Sequence, residues 1–125
     1  MAARVMSQER RNAPRVDEHL SIAISGDGHI AQAQTQNLST AGAYCTIDRF
    51  IPPMTKLELA FELPDGTRRV RITGSGVVVR TEPIIADAQR GGYHLAIYFS
   101  EMSERHRAAI SKFIRQRLSA RQSTA

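Results

Sequence analysis

Two short stretches carry the side chains whose types and spacing could do chemistry: Arg10-Arg11-Asn12-Ala13-Pro14-Arg15 and Asn37-Leu38-Ser39-Thr40-Ala41-Gly42. Arg11 and Arg15 lie four residues apart on an extended segment stiffened by Pro14. Such a pair can wrap a compact polyanion, offering donor forks both to phosphate oxygens and to the O6/N7 edge of guanine. Asn37 can donate and accept at a base edge, Ser39 adds a small hydroxyl, and Gly42 lets the backbone turn tightly or approach a ligand. Together these groups suit a guanine nucleotide held by its edges and its charge. The plainer roles for the same residues are a solvated arginine arm, loop side chains bonding their own backbone, and a turn glycine. Arg49, Arg80 and Arg90 read as surface cations that would at most add charge to the rim of such a site.

Other chemistries find no foothold. His19, His29, His94 and His106 fall on different expected elements with no cysteine or carboxylate at ligand spacing, so no metal site is expected. Gly74-Ser75-Gly76 satisfies neither the nucleophile elbow nor the phosphate loop and reads as backbone geometry. Cys45 alternates with Ala43 and Ile47, as a buried small hydrophobe would. With no paired acid and base in view, the chain does not read as an enzyme.

The elements that must position the two stretches follow from periodicity. Residues 1–18 are polar and Arg-rich with a period of neither 2 nor 3.6, and read as a flexible arm rather than a core element. From His19, strict alternation places Leu20, Ile22 and Ile24 on one side of a strand that ends at the turn Ser25-Gly26-Asp27-Gly28. A second strand sets Ala31, Ala33 and Thr35 against Gln32, Gln34 and Gln36 and ends at Asn37, and Ala43, Cys45 and Ile47 mark a short third. Beyond Ile51-Pro52-Pro53, Leu57, Leu59, Phe61 and Leu63 alternate with polar neighbours. Pro64-Asp65-Gly66 has hairpin-turn chemistry, and the strand returning from Arg68 to Arg80 is interrupted at Gly74-Ser75-Gly76, where a bulge or barrel corner is expected. Tyr93, Leu95, Ile97 and Phe99 form the sixth strand. Ser103 then caps a helix whose Ala109, Ile110, Phe113, Ile114 and Leu118 recur at helical spacing, with 119–125 as a polar tail. Six short strands and one closing helix are mainly β, a barrel or sandwich.

Composition agrees with one folded domain. The chain has 125 residues, 42% of them hydrophobic and 23% charged, within the globular range. Its net charge is +5, and of 17 cations only Lys56 and Lys112 are lysine, which leaves 17 − 2 = 15 arginines. That balance points to an anionic partner. No run approaches a membrane span or a signal peptide, and a lone cysteine fits a reducing cytoplasm. A nucleic-acid-binding barrel is the rival from another class. It lacks interleaved aromatics, since the seven Phe and Tyr include Phe61, Tyr93 and Phe99 on the core face.

In the order Arg11-x-x-x-Arg15 and Asn37-x-Ser39-x-x-Gly42, the sequence resembles the PilZ domain family, whose signature is Arg-x-x-x-Arg followed by Asp/Asn-x-Ser-x-x-Gly. The resemblance spans about residues 8–118 and implies a six-stranded antiparallel β-barrel closed by a C-terminal helix. It also implies binding of cyclic di-GMP: Arg11 and Arg15 would grip phosphate and the guanine Hoogsteen edge, with Asn37, Ser39 and Gly42 as the opposing wall. Arg10, directly before the first motif arginine, resembles the family version that binds an intercalated ligand dimer, which implies two molecules per chain. No cofactor beyond this ligand is implied. The signal would pass to an effector protein by ordering of the arm over the ligand; a PilZ-like adaptor without ligand is the alternative within the family.

Overall fold

The computed structural model describes residues 14–26, 28–85 and 92–124. Six strands, β1 (Ser21–Gly26), β2 (His29–Leu38), β3 (Gly42–Ile47), β4 (Lys56–Asp65), β5 (Arg68–Pro83) and β6 (Tyr93–Glu101), are followed by one helix, α1 (Glu104–Thr124). All pairings are antiparallel and the sheet closes in the order β1-β2-β3-β6-β5-β4.

Alternation explains the interior. Ile22 and Ile24 of β1, Ala43, Cys45 and Ile47 of β3, Leu57, Leu59, Phe61 and Leu63 of β4, and Leu95, Ile97 and Phe99 of β6 are all buried. Each large side chain among them removes apolar surface worth about 1.5–3 kcal/mol from water. Phe61 and Phe99 stack with centroids 6.3 Å apart. Burial pushes the Cys45 thiol up to about 12, so it is a core hydrophobe and carries no thiolate near neutral pH.

The barrel corner falls where the glycines are. The β5–β6 register shifts between Ser75 and Gly76. A Cβ on Gly76 would stand 2.7 Å from Ile97 Cγ2 and 3.0 Å from the Tyr98 carbonyl, so only glycine lets the two strands close there.

Ser103 caps α1: its Oγ accepts from His106 N at 3.1 Å and its carbonyl accepts from Arg107 N at 3.0 Å. Ile110, Phe113 and Ile114 enter the common core from the helix. The helix runs on through residues 119–124, where a polar tail was expected. Its Ala, Arg and Gln are good helix formers, and no Gly or Pro stops it.

Two other expectations at the N-terminal side need correction. The first strand starts at Ser21 rather than His19, because the Thr35 side chain steps into the ladder: Leu20 N donates to Thr35 Oγ1 at 2.7 Å, and Thr35 Oγ1 donates to the Glu18 carbonyl. Nor is the stretch before residue 19 free of core contacts. Val16 is 1% exposed and exchanges both backbone hydrogen bonds with Leu38, at 3.0 and 2.9 Å. An isolated valine gives no periodicity, so its burial had no sequence signal. The rest of the expected arm, residues 1–13 with Arg10 and Arg11, lies outside the described residues.

Candidate functional site

A concavity of about 290 Å³ opens on the outer surface where β3, β6 and β5 run side by side. Arg15, Ser39 and Gly42 line it, together with Tyr44, Arg80 and Tyr98. Asn37 stands beside it, its Oδ1 accepting from Arg15 Nη1 at 3.4 Å across 22 residues of sequence. The structure therefore brings Arg15, Asn37, Ser39 and Gly42 together; Arg10 and Arg11 lie outside the described residues.

Asn37 reaches the outside because of a bulge. Counting by twos from buried Ala33 and Thr35 would send Asn37 into the barrel and Leu38 out. The β2–β3 register instead shifts between Thr35 and Asn37, which buries Leu38 and leaves Asn37 toward Arg15.

The β2–β3 turn is a built wall. Ser39, 2% exposed, accepts at Oγ from Ala41 N (3.1 Å) and Gly42 N (3.2 Å), and Ser39 N donates to the Gly42 carbonyl at 2.9 Å. Its hydroxyl is thus occupied in shaping the turn. Phe99 N donates to the Ala41 carbonyl at 2.9 Å, and Arg107, reaching over from α1, donates to the carbonyls of Thr40 (2.7 Å) and Phe99 (3.1 Å). Gly42 sits so close to β6 that a Cβ there would lie 2.1 Å from the Ile97 carbonyl oxygen. The glycine is required by strand approach.

The far wall was not legible as a site. A second bulge, between Val78 and Arg80, turns both Val79 and Arg80 to the outside, where alternation from buried Val78 would have put Arg80 in the core. The Arg80 guanidinium lies 5.9 Å from the Tyr44 ring centroid, and its Nε pairs with Glu82 at 2.7 Å. Tyr44 Oη and His94 Nδ1 are hydrogen-bonded at 2.6 Å, with the rings edge-on at 5.1 Å. Of the other rim arginines, Arg49 is turned to Asp48 and to the Ile30 carbonyl, and Arg90 lies outside the described residues. Tyr44 and Tyr98 carried no signal beyond being outward positions of their strands. In sum, the concavity presents guanidinium groups, flat rings and a fixed backbone turn, which suits a planar, anionic ligand.

Solved structures of the same fold include the Bacillus subtilis inhibitor of motility MotI/DgrA (TM-score 0.77, 18% identity, 89% of this chain and 52% of that one). The PilZ domain of YcgR from Escherichia coli with c-di-GMP is similar at TM-score 0.64 and 12% identity, over 92% of this chain and 97% of that one. Borreliella burgdorferi PlzA in complex with c-di-GMP follows at TM-score 0.51 and 15% identity, over 90% and 44%. The chain thus spans about half the length of the Bacillus protein. A comparison with curated proteins finds no match. No helix among the described residues is long and apolar enough to cross a membrane. The PilZ domain family matches residues 9–116, which take in the whole barrel, the first part of the helix and the segment that carries Arg15, and the chain belongs to that family.

Proposed function

We propose that the chain is a cyclic di-GMP receptor whose ligand binds in the concavity between the Arg15 segment and the β2–β3 turn. The observation that carries the reading is the meeting of Arg15 and Asn37, 22 residues apart, at the rim of a cavity walled by Ser39 and Gly42. Support comes from family membership and from two structures of the same fold that hold c-di-GMP. On this reading Arg11 and Arg15 take phosphate and the guanine Hoogsteen edge, and Asn37 meets the other base edge. Ser39 and Gly42 contribute as the rigid turn, through backbone and shape. The Arg80 guanidinium offers a flat cation for a guanine, a contact worth about 0.5–2 kcal/mol, and Tyr44 and Tyr98 offer rings for base stacking. Arg10 completes a second ligand position, giving two molecules per chain.

Signal output follows from closure of the arm over the ligand, which converts chain entropy into a new surface for a partner protein. The test is a calorimetric titration with cyclic di-GMP, with GTP and a short oligonucleotide as controls. The expected result is saturable binding of the cyclic dinucleotide alone at two per chain, falling to one in Arg10→Ala. Absence of heat from a folded chain, or equal binding of the oligonucleotide, overturns the reading.

A further inference from the structure

A second cationic feature lies away from the concavity, at the start of β5. β4 accompanies β5 along Arg68–Val77, but β6 pairs with it only from Ser75 to Pro83, because the chain leaves β6 at Glu101 to enter α1. Among the described residues, 68–74 therefore have a strand on one side only. Thr73 N and the Thr73 carbonyl both point away from β4, lying 3.2 and 3.1 Å from the single Nδ1 of His106 on α1. In an antiparallel ladder, backbone groups alternate sides every residue. The N–H and C=O of Arg71 and Arg69 thus share that open side, and among the described residues no further strand meets them.

The open edge borders a groove of about 540 Å³ lined by Arg68, Arg69, Arg71, Arg105, His106 and Ala109. Arg68, Arg71 and Arg105 are exposed and make no ion pair among the described residues, and Arg69 has only a 3.8 Å contact with Glu62. The acid at the groove's end, Asp65, is already opposed by Lys112 at 3.8 Å. A free strand edge and a set of unpaired guanidinium groups thus occupy the same groove. We propose that this edge is a docking site for an extended acidic segment of a partner protein, which adds a strand beside β5 and sets its carboxylates among Arg68, Arg71 and Arg105.

Charge and hydrogen-bonding chemistry select this occupant. Arginines on an edge repel a second copy of the same edge, so they guard against self-pairing while favouring an acidic strand. A nucleic acid satisfies the guanidinium groups but has no peptide ladder to offer Arg69 and Arg71, whereas strand addition satisfies both. The site is independent of the dinucleotide reading and is tested without the dinucleotide.

The probe is a fluorescein-labelled alternating Glu-Val peptide of strand length, titrated into the full chain and followed by anisotropy, with the Gln-Val peptide and an oligothymidylate of equal charge as comparators. Saturable binding of the Glu-Val peptide is expected, weakened about tenfold or more by Arg71→Glu with Arg105→Glu. In the unaltered chain, bound peptide should slow hydrogen exchange at the amides of Arg69 and Arg71, a readout that ionic attraction alone would not move. Equal binding of the Gln-Val peptide, tighter binding of the oligothymidylate, or unchanged exchange at both amides overturns the proposal. An unaltered melting curve for the double variant shows that lost binding is not lost fold, and the exchange measurement stands without any variant.

Discussion

The β2–β3 turn and the segment carrying Arg15 meet at the same concavity, yet they are held in different ways. The turn is fixed from three directions: by the Ser39 hydroxyl from within, by the Phe99 amide from β6, and by the Arg107 guanidinium from α1. The Arg15 segment is anchored one residue later, where Val16 bridges to Leu38, and again at Glu18, whose carboxylate lies 2.5 Å from Arg117 Nε. Arg15 itself is exposed, with a 3.4 Å contact to Asn37. One wall is therefore part of the folded core, and the other is a charged side chain beside an anchor. The lesson is a division of labour: changes in the turn should cost stability, and changes in the arginine should cost affinity.

The harshest test of that division is Gly42→Ala. A methyl group cannot fit 2.1 Å from the Ile97 oxygen, so β3 and β6 must separate. A loss of about 3 kcal/mol is expected in chemical denaturation, and a variant as stable as the parent breaks the comparison at its root. Next comes Arg15→Ala. Losing a charge-assisted contact to the ligand should weaken cyclic di-GMP binding by about 2–3 kcal/mol in calorimetry, with stability held within about 0.5 kcal/mol. A melting temperature that drops along with affinity would make Arg15 a packing residue instead.

Arg107→Ala sharpens the comparison from the helix side. It leaves the Thr40 and Phe99 carbonyls without their donor, and should cost about 1.5–2 kcal/mol of stability. Weaker ligand binding should accompany it through loosening of the turn, although Arg107 does not line the cavity. Hydrogen exchange at Ala41 and Gly42 separates this from a direct contact: faster exchange before ligand is added is the expected result. The smallest effect belongs to Glu18→Gln. Arg117 is 42% and Glu18 24% exposed, and Arg117 Nε makes no hydrogen bond among the described residues, so this partly solvated pair contributes about 0.5–1 kcal/mol. A larger loss by thermal unfolding would mean that the ion pair, rather than Val16, holds the segment down.

Much of this molecule could be read directly from its residues. Leu57, Leu59, Phe61 and Leu63 declare a half-buried strand because alternation is a local property of a pleated chain, and Ile110, Phe113 and Ile114 declare a helix face for the same reason. The Arg-x-x-x-Arg and Asn-x-Ser-x-x-Gly spacings singled out Arg15, Asn37, Ser39 and Gly42, which do converge in space. The plainer role read for Ser39, bonding its own turn, also holds in space, whereas the close approach of β6 that Gly42 permits was not contained in the spacing.

Sequence by itself thus determined six strands, a capped helix, a core and an arginine-rich, asparagine-bearing motif. Tertiary structure decided which way the site faces. Asn37 and Arg80 point outward only because bulges after Thr35 and Val78 shift the phase of alternation, and a bulge depends on the neighbouring strand's register. Likewise, Tyr44, Arg80 and Tyr98 share one wall because barrel closure sets β3, β6 and β5 side by side, an adjacency no local pattern contains. Local periodicity is written in a few consecutive side chains, whereas register and adjacency are settled by long-range pairing and packing, and the site is made of the second kind.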